Sequence, residues 1–443
     1  MRHQYPARFA TVTVILLLAS IASAGGQHKN AVDTTINPEL DDLVKLYKHL
    51  HENPELSLQE QKTSARMAEE LKRAGFEVTT KIGGHGVVGV LKNGDGPMVL
   101  VRTDMDGLPI VEKTGLPYAS KVTTRNKDGV EVGVMHACGH DVHMSCFIGT
   151  ARTLAANQKL WRGTLLFVAQ PAEEVVAGAR AMLDAGLYKK FGTPDFALAL
   201  HADPLKPVGV VGFTDGLALA NSDTVDILVK GKGGHGAAPH LSVDPIVLAA
   251  RIVLDLQTIV SREVNPLDPC VVTVGSIHGG TKHNIIPNEV KLQLTVRTTK
   301  DEVRKEVLAA IARIAKAAAV GAKAPEPEVT VSETQFTPAT INDSALVKRT
   351  ATVFKALLGE KNVQARPPVM GAEDFGRFSQ GGVPIFMYFL GTVSQERYDA
   401  AQKPGAMALP GMHTDGYYPQ PEKAIPIGVR TMSLAVMELL PRK

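Results

Sequence analysis

The chain has 443 residues, of which 44% are hydrophobic and 21% are charged, and its formal net charge at pH 7 is +3. This composition argues against a disordered protein, and the nearly balanced charge gives no sign of nucleic-acid binding or of a polybasic membrane-binding surface. The length is large for a single hydrophobic core, so two domains are expected.

The N-terminus has the features of an export signal. Arg2 and Arg8 precede or flank the start of an apolar run, Thr11–Ile21, which is followed by the small-residue cleavage pattern Ala22-Ser23-Ala24. An uncleaved membrane anchor is the alternative, although the run is short for a bilayer. Cleavage after this pattern leaves 419 residues, 25–443, and the loss of two arginines lowers the formal charge to +1. We therefore expect a periplasmic or secreted protein that has no membrane segment after cleavage.

The next part of the chain and its last part alternate amphipathic helices with short apolar strands. The predicted helices are Leu40–Leu50, Gln59–Ala74 and Asp141–Asn157, and the predicted strands are Val87–Leu91, Pro97–Thr103, Gly163–Ala169, Phe196–Leu200 and Pro384–Leu390. Apolar runs interleaved with helices in this way are typical of a mostly parallel sheet covered by helices on both faces, which is an α/β fold.

The pattern changes between residues 221 and 336. The predicted elements there are a strand at Asp223–Lys230, a helix at Asp244–Ser261, strands at Cys270–His278 and Glu289–Thr298, a helix at Lys300–Val320 and a strand at Glu328–Gln335. The order βαββαβ describes a compact antiparallel sheet with two helices on one face. We therefore predict an α+β lid domain at 221–336, inserted between the two parts of a main domain at 33–220 and 337–443.

Side chains that can bind metals follow three of the predicted strands. Asp104 and Asp106 come after the second strand, Glu173 and Glu174 after the third, and His201 after the fourth. Because ligands bind at the carboxyl ends of the strands in open α/β sheets, we expect these side chains to lie together. Taken singly, the aspartates could be turn residues, the glutamates solvated surface and the histidine a core residue.

The segment His136-Ala137-Cys138-Gly139-His140-Asp141-Val142-His143 gathers one thiol, three imidazoles and one carboxylate in eight residues. Imidazole and thiolate suit zinc, whereas carboxylate suits harder ions such as manganese. A structural zinc site would close with four nearby ligands, but here the other candidate ligands, the pair Glu173-Glu174 with His201 and His413, lie far along the chain, which indicates an open, catalytic site. A nucleophilic Cys–His enzyme is an alternative interpretation of Cys138, but it leaves the glutamates without a role.

The chain has three cysteines, Cys138, Cys146 and Cys270, and this odd count leaves at least one thiol unpaired. Cys138 is the expected free cysteine, because a metal would hold it as a thiolate. A disulfide between Cys146 and Cys270 stays open as an alternative, although both lie in apolar runs that predict burial.

Several blocks of the sequence resemble the M20 metallopeptidases. They are Arg102-Thr-Asp-Met-Asp-Gly-Leu-Pro109, His136-Ala-Cys-Gly-His-Asp141, Gln170-Pro-Ala-Glu-Glu174, Gly234-His-Gly-Ala-Ala-Pro239, Asn284-Ile-Ile-Pro287 and Glu373-Asp-Phe375. The branch that they resemble most is the amidohydrolases, which cleave N-acyl amino acids, hippurate and auxin–amino acid conjugates. The resemblance covers nearly all of the chain after the export signal, in order.

The resemblance implies a catalytic α/β domain, an inserted lid that often forms a homodimer, and a site for two divalent metal ions. The implied metal ligands are Cys138, His140, Glu174, His201 and His413, with Cys138 bridging the two ions. Zinc, manganese, cobalt and nickel are all compatible with such a mixed set of ligands.

The resemblance also implies roles for residues around the metals. Glu173 would act as a general base and then as a general acid, and Asp106 would orient a metal ligand. His235, in the lid, would stabilise the oxyanion, either within one chain or across a dimer. Asn284 and Arg297 would hold a substrate carboxylate, although Arg297 fits a surface strand residue equally well.

Two features depart from the family pattern. The last block commonly reads Leu-His-Ser-Pro, whereas this chain has Met412-His413-Thr414-Asp415. Related peptidase branches have a metal-binding histidine where this chain has Asp104, which favours the amidohydrolase branch and leaves Asp104 without a role.

The remaining polar residues of the segment 136–143 are interpreted as support for the ligands; they are His136, Asp141 and His143.

The sequence therefore predicts an exported, metal-dependent amidohydrolase that cleaves the amide bond between an acyl group and an amino acid, using a metal-activated water and Glu173 as the base. A dipeptidase or carboxypeptidase on the same scaffold is one alternative. An exported protein that binds a small ligand without chemistry is another. The expected partner is a small-molecule substrate, and no nucleic acid is expected.

Overall fold

The computed structural model describes the backbone of residues 9–442 and the side chains of residues 27–442. The predicted export signal, residues 1–24, lies outside the residues whose side chains are described. Among the helices of the described chain, none combines the length and the apolar character needed to cross a membrane.

Helices and strands alternate along most of the described chain. The helices are α1 (Phe9–Glu52), α2 (Gln61–Arg73), α3 (His140–Ala156), α4 (Gly178–Asp184), α5 (Leu187–Phe191), α6 (Pro245–Thr258), α7 (Asp301–Gly321), α8 (Ser344–Leu358), α9 (Gln395–Ala401) and α10 (Pro421–Leu439). The strands are β1 (Glu77–Ile82), β2 (Gly86–Asn93), β3 (Met98–Asp104), β4 (Thr123–Arg125), β5 (Glu131–Gly133), β6 (Gly163–Gln170), β7 (Phe196–Pro207), β8 (Val211–Phe213), β9 (Gly216–Leu219), β10 (Asn221–Lys230), β11 (Gly234–His235), β12 (Cys270–Gly279), β13 (Ile285–Ile286), β14 (Glu289–Thr298), β15 (Glu328–Val331), β16 (Thr340–Asn342), β17 (Val363–Ala365) and β18 (Ile385–Val393).

The largest sheet has eight strands in the order β1-β2-β6-β3-β7-β18-β8-β17. Its centre, β6-β3-β7-β18, is parallel throughout, whereas β1, β2 and β8 each pair antiparallel with a neighbour. The central strands are buried along almost all of their length, as expected for parallel strands that are covered on both faces. The prediction of a mostly parallel α/β sheet is therefore confirmed.

Helices cover both faces of this sheet, and side chains alternate between the two resulting cores. On β3, Val99 and Val101 belong to the core formed with α1, α2, α3, α8 and α10, whereas Leu100 belongs to the core beneath α4 and α5. Each fully buried side chain of this kind stabilises the fold by about 1.5–3 kcal/mol relative to an exposed one. Packing on both faces therefore fixes the ends of the central strands, and with them the side chains that follow.

β7 is longer than the sequence predicts. It continues from Leu200 to Pro207, because it pairs in parallel with β18 over most of this length. His201 therefore lies within the strand, opposite Phe389, rather than in a loop after it. The partner strand is distant in sequence, so no local pattern marks the extension.

Residues 221–331 form a second sheet with a core of its own. Its order is β12-β14-β10-β15, with every pair antiparallel, and α6 and α7 pack against one face. On β10, Val225, Ile227 and Val229 face the helices at every second position. The order of the elements is the predicted βαββαβ, although β15 ends at Val331 rather than at Gln335. The exact limits of the lid domain, 221–336, remain a prediction.

The chain crosses between the two sheets twice, and the crossings lie side by side. Ser222 and Thr337 exchange two backbone hydrogen bonds, each of 3.0 Å. Phe336, in the second crossing, packs against the guanidinium group of Arg304, which lies 3.8 Å from the centre of its ring. These contacts hold the first residues of β10 next to the ends of the central strands.

All three cysteines are free. Cys146 is buried in α3, where its Sγ lies 3.7 Å from the carbonyl oxygen of Ile425, and Cys270 is half-buried at the start of β12. The disulfide between Cys146 and Cys270, considered from the sequence, is therefore not formed.

Candidate metal centre and active site

A cavity of about 330 Å³ lies at the carboxyl end of the parallel strands. Its polar wall is formed by Glu173, Glu174, Glu373, His201 and His413, and its apolar wall includes Val176, Leu219 and Phe389. Ser222 and Arg297, from the second sheet, complete the lining. The predicted convergence of side chains at this edge of the sheet is therefore what the structure shows.

The five predicted metal ligands lie in two groups that share one residue. Cys138, His140 and His201 form one group, and Cys138, Glu174 and His413 form the other, with the candidate ligand atoms of each group within 4.8 Å of one another. Cys138 Sγ lies 3.5 Å from His201 Nε2, and His413 Nε2 lies 3.4 Å from Glu174 Oε2. A residue common to both groups is the arrangement expected of a bridging ligand.

The chemistry of these residues fits divalent cations. His140 Nε2 and Glu174 Oε1 are buried, 3.8 Å apart, and neither has a hydrogen-bond partner among the described residues. Buried polar atoms without partners are rare and costly in folded proteins. Although burial lowers the pKa of His140, the charges of Asp104, Asp106 and Glu174 raise it to about 10, so the site strongly attracts positive charge.

A glycine turn separates Cys138 from His140. Gly139 between them has φ +80°, and a Cβ atom at this position would lie 2.9 Å from Ala202 Cβ. Only glycine adopts this conformation without strain and also fits the space. The turn ends at His140, which begins α3.

Asp106 supports the ligands from behind. His140 Nδ1 donates to the carbonyl oxygen of Asp106 at 2.8 Å, which leaves Nε2 as the free ring nitrogen, 3.8 Å from Glu173 and from Glu174. The carboxylate of Asp106 accepts the backbone N–H groups of Glu173 at 3.1 Å and Glu174 at 3.0 Å, and the Ser57 hydroxyl at 2.6 Å. One aspartate thereby fixes a histidine and both glutamates, which agrees with the supporting role expected for it.

Asp104, for which the sequence indicated no role, anchors His143. Its Oδ1 accepts from His143 Nδ1 at 2.7 Å, and its Oδ2 accepts from Arg102 Nη1 at 2.7 Å. The other ring nitrogen of His143 accepts the backbone N–H of Ala202 at 2.7 Å. Both nitrogens of His143 are thus engaged, and the residue ties α3 to the strand that carries His201.

A buried ionic network connects the ends of β3 and β6 with the block that contains Glu373. Arg102 donates to Glu373 at 2.7 Å, to Asp374 at 3.2 Å and to Gln170 at 2.9 Å. Burial, followed by the negative charges of Glu373 and Glu174, raises the pKa of Glu173. The sequence blocks contained all these residues, but their mutual contacts could not be read from spacing.

His413 keeps its expected position although its neighbours depart from the family pattern. Its backbone has φ +61°, and its N–H donates to the carbonyl oxygen of Ala137 at 2.9 Å. Asp415, where a proline is common, pairs with Lys113 at 2.8 Å on the surface. The loop is therefore tied to the Cys138 turn by its backbone, and His413 reaches Glu174 from outside, with its side chain 52% exposed.

Arg297 enters the cavity from β14 without a carboxylate partner among the described residues. Its Nε donates to Thr295 Oγ1 at 3.3 Å, and burial lowers its pKa. A half-buried guanidinium group of this kind lacks the ion pair that would normally compensate its loss of hydration. The position suits recognition of an anionic group on a substrate.

His235 and Asn284 lie together but away from the metal ligands. His235 is on the exposed two-stranded ribbon of β11 and β13, where it pairs with Ile285, and the N–H of Gly236 donates to the carbonyl oxygen of Asn284. Neither residue lines the cavity. The structure of the single chain therefore brings the five ligands, Glu173, Asp106 and Arg297 together, but not this pair.

Glu60 and Glu112 are carboxylates near the site for which the sequence indicated no role. Glu60 contacts the backbone of Ala172, next to Glu173. Glu112 and Asp141 both lie beside His51 of α1. Hydrophobic periodicity placed Glu60 and His51 on or beside helices, but it carried no information about these distant partners.

Comparisons with known proteins agree with the geometry. The peptidase family M20/M25/M40 matches residues 100–406. Hippurate hydrolase of Campylobacter jejuni is 38% identical over 349 residues, which are 77% of this chain and 87% of that protein. Thermostable carboxypeptidase 2 of Saccharolobus solfataricus is 36% identical over 364 residues, 81% of this chain and 88% of that protein.

A solved structure extends the similarity to the whole architecture. It is the YXEP protein of Bacillus subtilis, described as a dinuclear metal binding peptidase of family M20, and it matches with a TM-score of 0.72 and 29% sequence identity. The match covers 90% of this chain and 98% of that one. The chain therefore belongs to peptidase family M20/M25/M40, in its amidohydrolase branch, and is a hydrolase of amide bonds.

Proposed function

We propose that the protein is a metal-dependent amidohydrolase that cleaves N-acyl amino acids with a free carboxylate. The observation that carries the proposal is one cavity lined by Glu174, His201 and His413 together with Glu173 and Arg297. The other two metal-type ligands, Cys138 and His140, lie within 4.8 Å of these lining ligands. Metal ligands beside a carboxyl group suit the hydrolysis of an amide, and the nearby cation suits a substrate anion.

Two divalent metal ions are the proposed cofactors. Cys138, His140 and His201 would hold one ion, and Cys138, Glu174 and His413 the other, following the two groups that share the cysteine. The dinuclear description of the Bacillus subtilis structure supports this assignment. Such ions, when bound, lower the pKa of a coordinated water and polarise the carbonyl group of the amide.

Glu173 is the proposed proton carrier. It accepts a proton from the attacking water and delivers it to the nitrogen of the leaving amino acid. Its position supports this role, because it lines the cavity next to the ligand Glu174. The direction of its pKa shift is consistent with this role, because burial and the charges of Glu373 and Glu174 raise the pKa of Glu173 and thereby make its carboxylate a stronger base than in open water.

Arg297 is the proposed site for the carboxylate of the amino acid. A guanidinium group can donate two parallel hydrogen bonds to a carboxylate. The apolar wall formed by Val176, Leu219 and Phe389 offers space for an apolar part of the substrate. This combination favours an acylated amino acid over a simple amide without charge.

His235 is proposed to act in the cavity of a second copy of the chain. The lid sheet ends at β12, whose outer edge pairs with no strand in the described chain. Leu254 and Ile277, 70% and 52% exposed, line an apolar groove beside this edge. An unpaired edge with exposed apolar side chains is suited to self-association.

Sedimentation velocity tests this proposed homodimer. We expect a dimer for the natural chain and a monomer for Ile277→Asp, which places a charge in the groove. A natural chain that stays monomeric at all concentrations would contradict the homodimer, but not the hydrolytic function of each chain.

The function itself is tested by a product assay on the purified protein loaded in turn with zinc, manganese, cobalt and nickel. Hippurate, N-acetyl amino acids and unblocked dipeptides serve as substrates, and the released amino acid is quantified. The proposal predicts metal-dependent release from the acylated amino acids. If none of them is hydrolysed with any of these metals, the proposal is wrong.

A carboxypeptidase or dipeptidase activity is the second candidate, because the Saccharolobus solfataricus relative is named a carboxypeptidase. The same panel separates the two candidates. Faster release from unblocked dipeptides than from hippurate and N-acetyl amino acids would favour the second.

A further inference from the structure

We propose that Glu60 is a positioning residue of the active site, which holds the loop that carries Glu173 and Glu174. The inference rests on the proposed functions of these two glutamates. It assigns a purpose to a buried carboxyl group that lies far from the cavity in sequence and does not line it.

The location of Glu60 in the fold suggests a different, local role, which the residue does not perform. Glu60 immediately precedes α2, at the position whose side chain commonly caps the first turn of a helix. Its side chain makes no such bond. Glu55 caps the helix instead, accepting the N–H groups of Lys62 at 3.1 Å and Thr63 at 2.7 Å.

The side chain of Glu60 contacts the loop that carries Glu173 and Glu174. The backbone N–H of Ala172 donates to Glu60 Oε1 at 2.6 Å, and Glu60 is 0% exposed. Ala172 has φ +52°, a left-handed conformation that is uncommon for residues other than glycine. The hydrogen bond therefore holds a strained residue directly before Glu173.

Glu60 completes a set of three consecutive backbone contacts. The N–H of Ala172 is held by Glu60, and the next two N–H groups, of Glu173 and Glu174, are held by the carboxylate of Asp106. Ser57, in the segment that leads to Glu60, donates to the same aspartate. Two carboxylates thus fix the backbone of the loop from beneath, and the loop in turn orients both glutamates.

This arrangement is unfavourable for stability alone. Glu60 Oε2 is buried without a hydrogen-bond partner among the described residues, and Asp106 places a second negative charge nearby. Burial and that charge raise the pKa of Glu60 to about 7. Buried polar atoms without partners destabilise the folded state, and departures from local rules of this kind concentrate at functional sites.

The proposal is tested by substitutions at position 60 that change either the length of the side chain or its charge. Glu60→Gln keeps an oxygen that can accept from Ala172, whereas Glu60→Asp keeps the carboxylate and favours helix capping but is too short to reach. Glu60→Ala removes both. Glu70 provides a matched control, because it is equally buried on α2 and pairs with Arg66 rather than with the loop.

For each variant, kcat and KM for the best substrate of the panel, the thermal midpoint and the rate of metal release to a chelator are measured. We expect Glu60→Asp and Glu60→Ala to lower kcat about 10- to 100-fold with little change in KM, and to release metal faster, as is usual when supports of metal sites are removed. Glu60→Gln should restore most of both properties. Glu70→Gln should lower the thermal midpoint and leave kcat unchanged.

The proposal is overturned if Glu60→Asp keeps the kcat and the metal-release rate of the natural chain. It is also overturned if the kcat of Glu60→Gln is as low as that of Glu60→Asp. If Glu60→Ala does not fold, the comparison of the other two variants still decides. If the natural chain hydrolyses no substrate of the panel, the proposed function fails, whereas the rates of metal release still test the role of Glu60.

Discussion

Glu173 and Glu174 are adjacent in sequence and share His140 as a neighbour, but their other neighbours differ. Glu174 lies beside Cys138 and His413, whereas Glu173 lies beside Glu373 and Asp374. A residue that binds metal and a residue that carries protons should respond differently to substitution. This difference provides the most specific prediction at the scale of single residues.

Glu173→Gln is expected to bind metal as the natural chain does and to lose hydrolysis by about 10²- to 10⁴-fold, the usual contribution of a positioned acid or base. Elemental analysis and initial rates on the same sample measure both properties. Retained turnover would remove Glu173 from the mechanism, and lost metal would make it a ligand.

Cys138→Ser is expected to lose metal before it loses the fold. Cys138 is the one member common to both ligand groups, so its replacement weakens both sites. Bound metal is measured by elemental analysis and the fold by circular dichroism, with Cys270→Ser in the second sheet as the control. Metal content equal to that of the control would exclude Cys138 as a ligand.

The sequence indicated which metal-type residues could converge, and it indicated Asp106 as a support, but it did not indicate most of the contacts around them. Cys138, His140 and Glu174 stand in recognisable blocks, so their convergence could be expected from chemistry and resemblance. Asp104 had no predicted role, because its partner His143 becomes its neighbour only when α3 packs against β3. The sequence indicates no role for Glu60 for the same reason, since its partner Ala172 lies 112 residues away.

At the scale of elements, a buried histidine links α1 and α3 through charge. His51 Nδ1 lies 2.7 Å from Asp141 and its Nε2 lies 3.0 Å from Glu112. Burial lowers the pKa of His51, but the hydrogen bonds and charges of the two carboxylates raise it to about 9. The protonated histidine therefore joins the helix that begins at His140 to the N-terminal helix.

This link predicts a pH-dependent contribution to stability. Because the folded-state pKa exceeds the unfolded value of about 6.5, the contribution is fully present below pH 6.5 and is lost as the pH rises through about 9. The rise in the pKa of His51 corresponds to a contribution of about 3 kcal/mol at most to the free energy of unfolding.

Urea unfolding of the natural chain and of His51→Gln at pH 6, 7.5 and 9.5 tests this prediction. The difference in unfolding free energy should be largest at pH 6 and smallest at pH 9.5. His49→Gln, an exposed position on the same helix, serves as the control. A difference that does not vary with pH would contradict the charged link.

Helices and strands were predicted accurately where the local sequence determines their limits. Helices and strands with clear periodicity, such as α7 and β14, appear close to their predicted limits. β7 was predicted too short because its second half is stabilised by pairing with β18, and β15 was predicted too long because the chain leaves the sheet after Val331. Both differences depend on pairing between distant segments.

At the scale of the whole molecule, both sheets contribute to the cavity. The second sheet contributes the cation Arg297, and the domain of the first sheet contributes the acidic residues and the histidines.

Arg297→Gln is expected to raise KM for hippurate about 10- to 100-fold, the range for a lost hydrogen bond between charged groups. The analogue of hippurate in which a carboxamide replaces the carboxylate serves as the control substrate. The KM for this analogue should not change, because it has no carboxylate for Arg297 to bind. Equal effects on both substrates would exclude Arg297 as the carboxylate site.

The fold of both sheets was predictable at this scale, but the placement of His235 and Asn284 was not. Their sequence blocks associate them with the catalytic residues, whereas the single chain places them on an exposed ribbon outside the cavity. A block of sequence identifies a residue type and its neighbours. It does not state whether the residue acts in its own chain or in a second copy.

We expect hydrolysis to depend on a pair of metal ions held by the five residues Cys138, His140, Glu174, His201 and His413. The most direct measurement follows bound metal and hydrolysis of a panel substrate on the same sample, before chelation, after chelation and during stepwise return of the metal. We predict that activity disappears with the metal and returns as the content approaches about two ions per chain. Full activity in metal-free protein would contradict the account.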